Sequence, residues 1–309
     1  METKQITCSG LTKRFRNLTA VDGLDLEVGR GDVFGFLGPN GAGKSTTLRM
    51  MVGLIEPTSG SVRVLGHDVW RDHVRAMTGA GAMIEAPAFY KYLSGRDNLR
   101  ILANTGGRYS KKDIDEALTI VGLLDRARDK VKTYSQGMRQ RLGIALAIVG
   151  RPELVLLDEP TNGLDPQGMK EVRDLICRLS TENGMTVFLS SHLLHEVEQT
   201  CTRIAVINKG KVIASGAVKD LLGGKNVYRV TVDRSDLVEG LIEKADWAKT
   251  VITGTGFVDV EVNGHSPAEL NKALVEGGVG VTGLAPVNAS LEELYLEMVG
   301  ADDDATDRV

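Results

Sequence analysis

The stretch "VFGFLGPNGAGKSTTLRMM", residues 33–51, joins an apolar run to a helix-like run through a turn rich in glycine. Its central part, "GPNGAGKS" at residues 38–45, satisfies the pattern Gly-x-x-x-x-Gly-Lys-Ser/Thr. Glycines in such a turn let backbone N–H groups converge on phosphate oxygens, and the N-terminus of the following helix adds a positive potential. The stretch therefore predicts a strand, a phosphate-binding loop and a helix in immediate succession.

Two side chains of this loop have distinct predicted roles. Lys44 would reach the terminal phosphates, and Ser45 would offer its hydroxyl oxygen to Mg²⁺. A plain glycine-rich turn is the alternative, but the strand before it and the helix after it favour phosphate binding. The residues predicted to hold a nucleotide here are Gly38, Pro39, Asn40, Gly41, Ala42, Gly43, Lys44, Ser45 and Thr46.

Strand-like and helix-like runs alternate along the first two thirds of the chain, which predicts an α/β domain with a mostly parallel sheet. The predicted strands include "DVFGFLG", "SVRVLG", "LVLLDEP" and "TVFLSSH", and the predicted helices include "KKDIDEALTIVGL" and "PQGMKEVRDLICRLSTENG". The Gly223-Gly224 pair is the predicted linker, so the first domain covers residues 1–223.

A smaller α+β unit is predicted at residues 224–300. Its runs follow the order strand, helix, strand, strand, helix, strand, which fits a ferredoxin-like arrangement closed by the amphipathic segment "SLEELYLEMV". We find no constellation of nucleophile, base or metal ligands in it. Residues 301–309 read as an acidic disordered tail.

Composition limits the possible partners. The chain is 42% hydrophobic and 25% charged, as in globular proteins, and its net charge of -4 with scattered Lys and Arg argues against a nucleic-acid partner. No apolar run approaches the roughly 20 residues that span a bilayer, and we expect no secretory signal. Cys8, Cys177 and Cys201 lack metal-site spacing and are predicted to be ordinary reduced thiols.

Further polar residues follow the buried runs. In "LVLLDEP", Asp158 would belong to the Mg²⁺ shell and Glu159 would be the general base that polarises the attacking water. In "SSH", His192 could touch the γ-phosphate. A capped loop and a structural histidine are the respective alternatives.

A second helix tip able to bind an anion is predicted at "YSQGMRQRLGIALAIVG". Ser135 is its N-cap and Gly137 lies in its first turn. Because the chain already has one phosphate-binding helix, the second suggests the nucleotide of a second chain. The Asp165-Pro166 pair predicts the N-cap and first position of a further helix.

These motifs in this order resemble the ATP-binding subunit of an ABC transporter, over residues 4–222 and more loosely beyond. The resemblance implies a Walker A loop at 38–45, a signature at 135–139, a Walker B strand at 154–159, a D-loop at 162–166 and a switch histidine at His192. It also implies a P-loop NTPase-type domain with an antiparallel β subdomain and a helical subdomain, and ATP with Mg²⁺ as cofactors.

The same resemblance implies partners and a location. Two copies would pair head to tail as a homodimer, so that Ser135, Gly137 and Asp165 of one chain meet the ATP held by the other. A heterodimer with a second ATPase subunit is the alternative. An integral membrane permease would be a separate chain, with this subunit peripheral on the cytoplasmic side of the membrane. Phe15 falls where the family stacks an aromatic ring on adenine, the alternative being a core phenylalanine.

Glu85, in "AMIEAPAFYKYL", falls where most members of the family carry Gln. This change and "YSQGM" in place of the usual "LSGGQ" resemble exporters of the bacitracin and lantibiotic type, and the ending "SLEELYLEMVG" is similar to that group and to related drug-resistance exporters. There Glu85 would contact Mg²⁺ and the attacking water, if Mg²⁺, Lys44 or a proton offsets its charge; a solvated loop residue is the alternative. The apolar Phe89, Tyr90, Tyr92 and Leu93 that follow could receive a helix of the permease or form local core.

The predicted function is therefore an ATP-hydrolysing subunit that powers export of an antibiotic, peptide or other hydrophobic compound. Two alternatives remain at this point: a soluble ABC ATPase without a transport role, and an importer ATPase with a regulatory C-terminal domain.

Overall fold

The computed structural model describes residues 4–85, 88–107, 109–222, 227–243, 245–287, 291–292 and 294–295. The chain divides into two compact units, Met1–Ala217 and Val218–Val309. The predicted Gly223-Gly224 linker, most of "SLEELYLEMV" and the predicted acidic tail lie outside the described residues. The domain limits set on the sequence therefore stay predictions.

The first unit contains two sheets and seven helices within its described part. Its strands are β1 (Lys4–Phe15), β2 (Leu18–Gly29), β3 (Val33–Leu37), β4 (Ser59–Val64), β5 (His67–Asp68), β6 (Ala80–Met83), β7 (Leu154–Leu157), β8 (Thr186–Ser191), β9 (Arg203–Asn208) and β10 (Lys211–Ala217). Its helices are α1 (Lys44–Met51), α2 (His73–Met77), α3 (Gly95–Gly106), α4 (Lys111–Ile120), α5 (Gln136–Ile148), α6 (Pro166–Thr181) and α7 (Leu194–Thr200).

The central sheet has the strand order β10-β9-β3-β8-β7-β6. All its neighbours are parallel except β10, which runs antiparallel to β9. Every residue of β3, β7 and β8 is buried, as expected for parallel strands covered on both faces. Phe188 of β8 packs against Phe34 and Phe36 of β3, with ring centroids 5.6 and 5.7 Å apart. The predicted α/β class is confirmed.

The predicted antiparallel and helical subdomains are also present. Strands β1, β2, β4 and β5 form an antiparallel sheet of order β2-β1-β4-β5. Helices α3, α4 and α5 pack on one another. Ser94 and Ser110 cap α3 and α4 through side-chain oxygens that accept N–H groups of the first turn, which fixes where these helices begin.

The second unit contains α8 (Val218–Leu222), β11 (Val227–Val232), α9 (Ser235–Ile242), β12 (Ala248–Gly254), β13 (Phe257–Val262), α10 (Pro267–Glu276) and β14 (Val281–Pro286). From β11 to β14 the elements follow the predicted order of strand, helix, strand, strand, helix, strand. The sheet is antiparallel, of order β12-β13-β11-β14, and its core includes the fully buried Val230, Val258 and Leu270. The ferredoxin-like assignment itself stays a prediction. In the described part of the chain, no helix combines the length and apolarity needed to cross a membrane.

Candidate functional site

The loop between β3 and α1 needs glycine at two positions for steric reasons. Gly43 has φ of 107°, in the left-handed region, and a Cβ added to it would lie 2.4 Å from the carbonyl oxygen of Ala20. A Cβ on Gly38 would lie 2.2 Å from the carbonyl oxygen of Ile207. The loop is therefore packed against neighbouring backbone, which holds its N–H groups in place.

Lys44 is a buried cation with several partners. Its side chain is 5% exposed, and Nζ donates hydrogen bonds to the carbonyl oxygens of Gly38 at 2.8 Å and Pro39 at 3.2 Å. Nζ also lies 3.2 Å from Oε1 of Glu159. A buried charge is tolerated only with such partners, so the loop and Glu159 together hold the ammonium group beside the glycine-rich turn.

Asp158 follows the carboxyl end of β7 and joins two hydroxyl groups. Its Oδ1 accepts hydrogen bonds from Ser190 Oγ at 2.6 Å and Ser45 Oγ at 3.2 Å. Hydroxyl and carboxylate oxygens are ligands that Mg²⁺ prefers, so Ser45 and Asp158 fit such an ion. Within the described residues, no group of three or more His, Cys, Asp or Glu could hold a metal. This accords with Mg²⁺ sites, where one or two protein ligands are completed by phosphate and water.

Glu159 and His192 form the second part of the site. Oε2 of Glu159 lies 2.7 Å from Nδ1 of His192, and the other oxygen faces Lys44. Glu159 has φ of +48°, an uncommon backbone region that in other proteins clusters at functional sites. Its N–H donates to Ser190 Oγ at 2.9 Å. The structure thus brings together Lys44, Glu159 and His192 from three separate parts of the chain.

Ser190 was not among the predicted site residues, although its hydroxyl contacts both acids. It is fully buried, donates to the carboxylate of Asp158 and accepts from the N–H of Glu159. The available signal was its place, two residues before His192 at the end of a predicted strand, but only the neighbouring strands reveal the contact.

A cleft of about 360 Å³ adjoins this cluster. Its lining consists of Phe15, Leu18, Ala20, Asn40, Gly41, Gly43, Lys44, Ser45, Thr46, Glu159 and Asn162. Phe15 is 43% exposed at this cleft, with Lys13 Nζ 5.1 Å from its ring centroid, so it is not a core residue. Leu18, Ala20 and Asn162 were not singled out from the sequence.

Glu85 lies two residues beyond β6, with φ of +69°, and is not part of this lining. Its carboxylate forms an ion pair with the guanidinium of Arg49, near the end of α1. Mg²⁺, Lys44 or a proton was expected to offset the charge of Glu85, and Arg49 was not identified from the sequence. Its position four residues after Ser45, on the same helix face, was the available signal.

The tips of α5 and α6 lie side by side. Ser135 caps α5 by accepting the N–H of Met138 at 3.2 Å, and Asp165 caps α6 by accepting that of Gly168 at 3.2 Å. A Cβ added to Gly137 would lie 3.9 Å from Cα of Gly168. Ser135, Gly137 and Asp165 do not line the 360 Å³ cleft of their own chain.

Known proteins resemble this chain in sequence over most of its length. The family described as ABC transporter matches residues 21–162. The chain is 41% identical over 296 residues to an uncharacterized ABC transporter ATP-binding protein, YhcH of Bacillus subtilis, covering 94% of both chains. It is 39% identical to the bacitracin transport ATP-binding protein BcrA of Bacillus licheniformis, covering 96% of this chain and 97% of BcrA. It is 38% identical to the daunorubicin/doxorubicin resistance protein DrrA of Streptomyces peucetius, covering 99% and 96%.

Solved structures agree at the level of the fold. CbiO1 of Clostridium perfringens, part of an ABC transporter complex, superposes with a TM-score of 0.65 at 26% identity, covering 71% of this chain and 91% of its own. The dimeric cassette MJ0796 gives a TM-score of 0.61 at 24% identity, covering 69% and 98%. The glycine-rich loop, the two acids and the histidine meet at the carboxyl ends of central strands of the sheet. The chain belongs to the family of ABC transporter ATP-binding proteins and is an ATP-hydrolysing cassette.

Proposed function

We propose that this chain powers an exporter whose membrane permease is a separate polypeptide, with an antibiotic, peptide or other hydrophobic compound as cargo. The names of two relatives support the cargo class, since BcrA is a bacitracin transport protein and DrrA a daunorubicin and doxorubicin resistance protein. The observation that carries the hydrolytic part is the placement of Glu159 between Lys44 and His192.

Hydrolysis would depend on positioning and on charge neutralisation. The N–H groups of the loop and Lys44 would bind the β- and γ-phosphates, with Phe15 against the adenine. Glu159 would accept the proton of the attacking water, and His192 would orient Glu159 and contact the γ-phosphate. Ser45 and Asp158 would hold Mg²⁺, which neutralises phosphate charge when bound. Glu85 would approach the metal and water from the loop after β6.

We further propose a head-to-tail dimer. Ser135, Gly137 and Asp165 lie at adjacent helix tips that do not face their own cleft, and a helix tip presents free N–H groups suited to a phosphate. In a dimer of opposed chains these residues would close the ATP of the partner. The likeness to the dimeric cassette MJ0796 supports a dimer.

The permease would dock beside β6, on the cytoplasmic side of the membrane. A cleft of about 660 Å³ lies between β6 and the C-terminal ends of α3 and α5, and much of its lining is small or apolar. Tyr90 and Tyr92, which are 44% and 68% exposed, follow the Glu85 loop that begins at β6. A short permease helix in this region would adjoin a loop that also carries a nucleotide-sensing residue.

The first test is Glu159→Gln in the full chain. We expect ATP binding to be kept and steady-state phosphate release to fall by at least about a hundredfold, because amide nitrogen cannot take the proton of water. Titration calorimetry and a phosphate assay measure the two properties. Glu182→Gln, an exposed change at the end of α6, is the matched control. Hydrolysis retained by Glu159→Gln would remove Glu159 from this role.

The transport proposal has a separate test. The chain should sediment with membranes only when its permease is co-expressed, and inside-out vesicles should then accumulate bacitracin or daunorubicin when ATP is added. ATP-driven loss of these compounds from preloaded inside-out vesicles would show import instead.

A further inference from the structure

An ion pair connects the Glu85 loop to the phosphate-binding helix. The carboxylate of Glu85, 66% exposed, meets the guanidinium of Arg49, 33% exposed, and Arg49 lies in the last turn of α1. Helix α1 begins at Lys44. The position of Glu85 is therefore tied to the same rigid element that carries the phosphate-binding lysine and Ser45.

The pair lies close to the nucleotide site. Ser45 and Arg49 are four residues apart on α1, so they share a face and are separated by about one helical turn, roughly 5.4 Å. Arg49 thereby ties the carboxylate of Glu85 to the helix that also carries Ser45, whose hydroxyl fits Mg²⁺. At physiological salt the screening length is about 8 Å, so charges within that distance of the bound nucleotide affect its binding through solvent.

The carboxylates near the proposed ATP site make the positive charge of Arg49 important. Asp158 and Glu159 already place two carboxylates beside the loop, and Lys44 is the cation that contacts Glu159. A triphosphate brings several further negative charges to the same place. A third carboxylate, from Glu85, would oppose nucleotide binding unless a positive group neutralises it.

We infer that Arg49 is a positioning residue that neutralises Glu85 and fixes its approach to the ATP site. Arg49 acts through Glu85 and not by contact with the nucleotide. The inference rests on the proposed role of Glu85 beside the bound ATP. It implies that loss of Arg49 alone leaves an uncompensated charge, while loss of both charges does not.

A double-mutant cycle in the full-length chain tests this. The variants are Arg49→Gln, Glu85→Gln and the double change, each made in the Glu159→Gln background so that ATP binding is read without turnover. We expect Arg49→Gln to weaken ATP binding by about three- to fivefold, the order of one solvent-screened ion contact. The double variant should bind ATP within about twofold of the Glu159→Gln parent, measured by fluorescence titration with a labelled ATP analogue.

Two controls separate charge from structure. Arg100→Gln removes a comparable surface ion pair, with Asp97 on α3, and should leave ATP binding unchanged. The Arg49→Gln defect should also shrink below about twofold at 1 M salt, where the screening length is about 3 Å. Circular dichroism melts confirm that each variant is folded.

Two results would overturn the inference. Arg49→Gln could bind ATP as tightly as its parent, or the double variant could be as weak as Arg49→Gln alone, which would mean that Arg49 supports α1 and not Glu85. Because binding is measured without hydrolysis, either result is distinct from failure of the proposed catalytic role of Glu159.

Discussion

The hydroxyl of Ser190 makes hydrogen bonds to both acidic residues of the site. It lies between the carboxylate of Asp158 and the backbone N–H of Glu159, at 2.6 and 2.9 Å. Both acids follow β7, whereas Ser190 belongs to β8, so this contact joins neighbouring strands at the site. The position of the two acids therefore depends on a residue outside their own motif.

Ser190→Ala should lower both stability and activity. It leaves buried polar groups on Asp158 and Glu159 without their partner, so we expect the free energy of unfolding to fall by about 1–3 kcal/mol and phosphate release to slow. Urea unfolding and a phosphate assay measure this. Ser191→Ala is the control, because it removes a buried hydroxyl that accepts instead from the N–H of Leu193. Equal loss of hydrolysis in both variants would count against a specific role for Ser190.

Residues whose chemistry is local could be predicted from the sequence. Lys44 and Ser45 belong to a loop whose strand, glycines and helix are contiguous, so the pattern alone indicates their surroundings. Ser190 and Arg49 could not be found in this way, because their partners are 32 and 36 residues distant in the chain. Such pairs depend on which strands and loops become neighbours.

At the scale of elements, a largely buried ion pair joins α6, which follows the D-loop, to α7, which follows His192. Arg173 of α6 lies 2.7 Å from Oε1 of Glu196 in α7, and their side chains are 18% and 15% exposed. The other oxygen, Oε2 of Glu196, is buried without a hydrogen-bond partner among the described residues. Removing Arg173 would leave the carboxylate with no cation.

Arg173→Met should therefore destabilise the chain, by about 3 kcal/mol in the free energy of unfolding, as for other ion pairs broken from one side. Arg173→Met combined with Glu196→Leu should recover most of this loss, because no charge then stays buried. Urea unfolding compares both with Arg178→Met, an exposed change on the same helix. A double variant no more stable than Arg173→Met would show that packing, not charge, explains the effect.

The elements themselves were largely predictable, but their arrangement was not. The buried strands β3 and β7 appear as continuous apolar runs, and serine or aspartate caps mark the starts of α3, α4, α5 and α6. The strand order β10-β9-β3-β8-β7-β6 has no such local signal. Long-range packing sets the strand order, so the sequence alone does not show which strand ends are neighbours.

At the scale of the whole molecule, the nucleotide site belongs to one compact unit. All the residues proposed to bind ATP or Mg²⁺ lie within Met1–Ala217, and the second unit has its own buried core. We expect the second unit to stabilise the dimer or to regulate it. Binding of ATP and dimerisation should therefore respond differently to removal of the second unit.

A chain truncated after Ala217 should bind ATP with an affinity within about twofold of the full chain, because its cleft is complete. If the second unit stabilises the dimer, the truncated Glu159→Gln chain should dimerise less with ATP than full-length Glu159→Gln. Calorimetry and analytical ultracentrifugation measure these properties. Unchanged dimerisation and an unchanged hydrolysis rate in the otherwise wild-type truncated chain would exclude both roles.

The left-handed backbone at Glu85 and Glu159, with φ of +69° and +48°, has a wider consequence. This conformation costs a residue with a side chain roughly 1–2 kcal/mol, and glycine would adopt it more easily. Glycine, however, carries no carboxylate. At both positions the protein therefore keeps a carboxylate at a cost in stability, and a glycine variant that is more stable need not be more active.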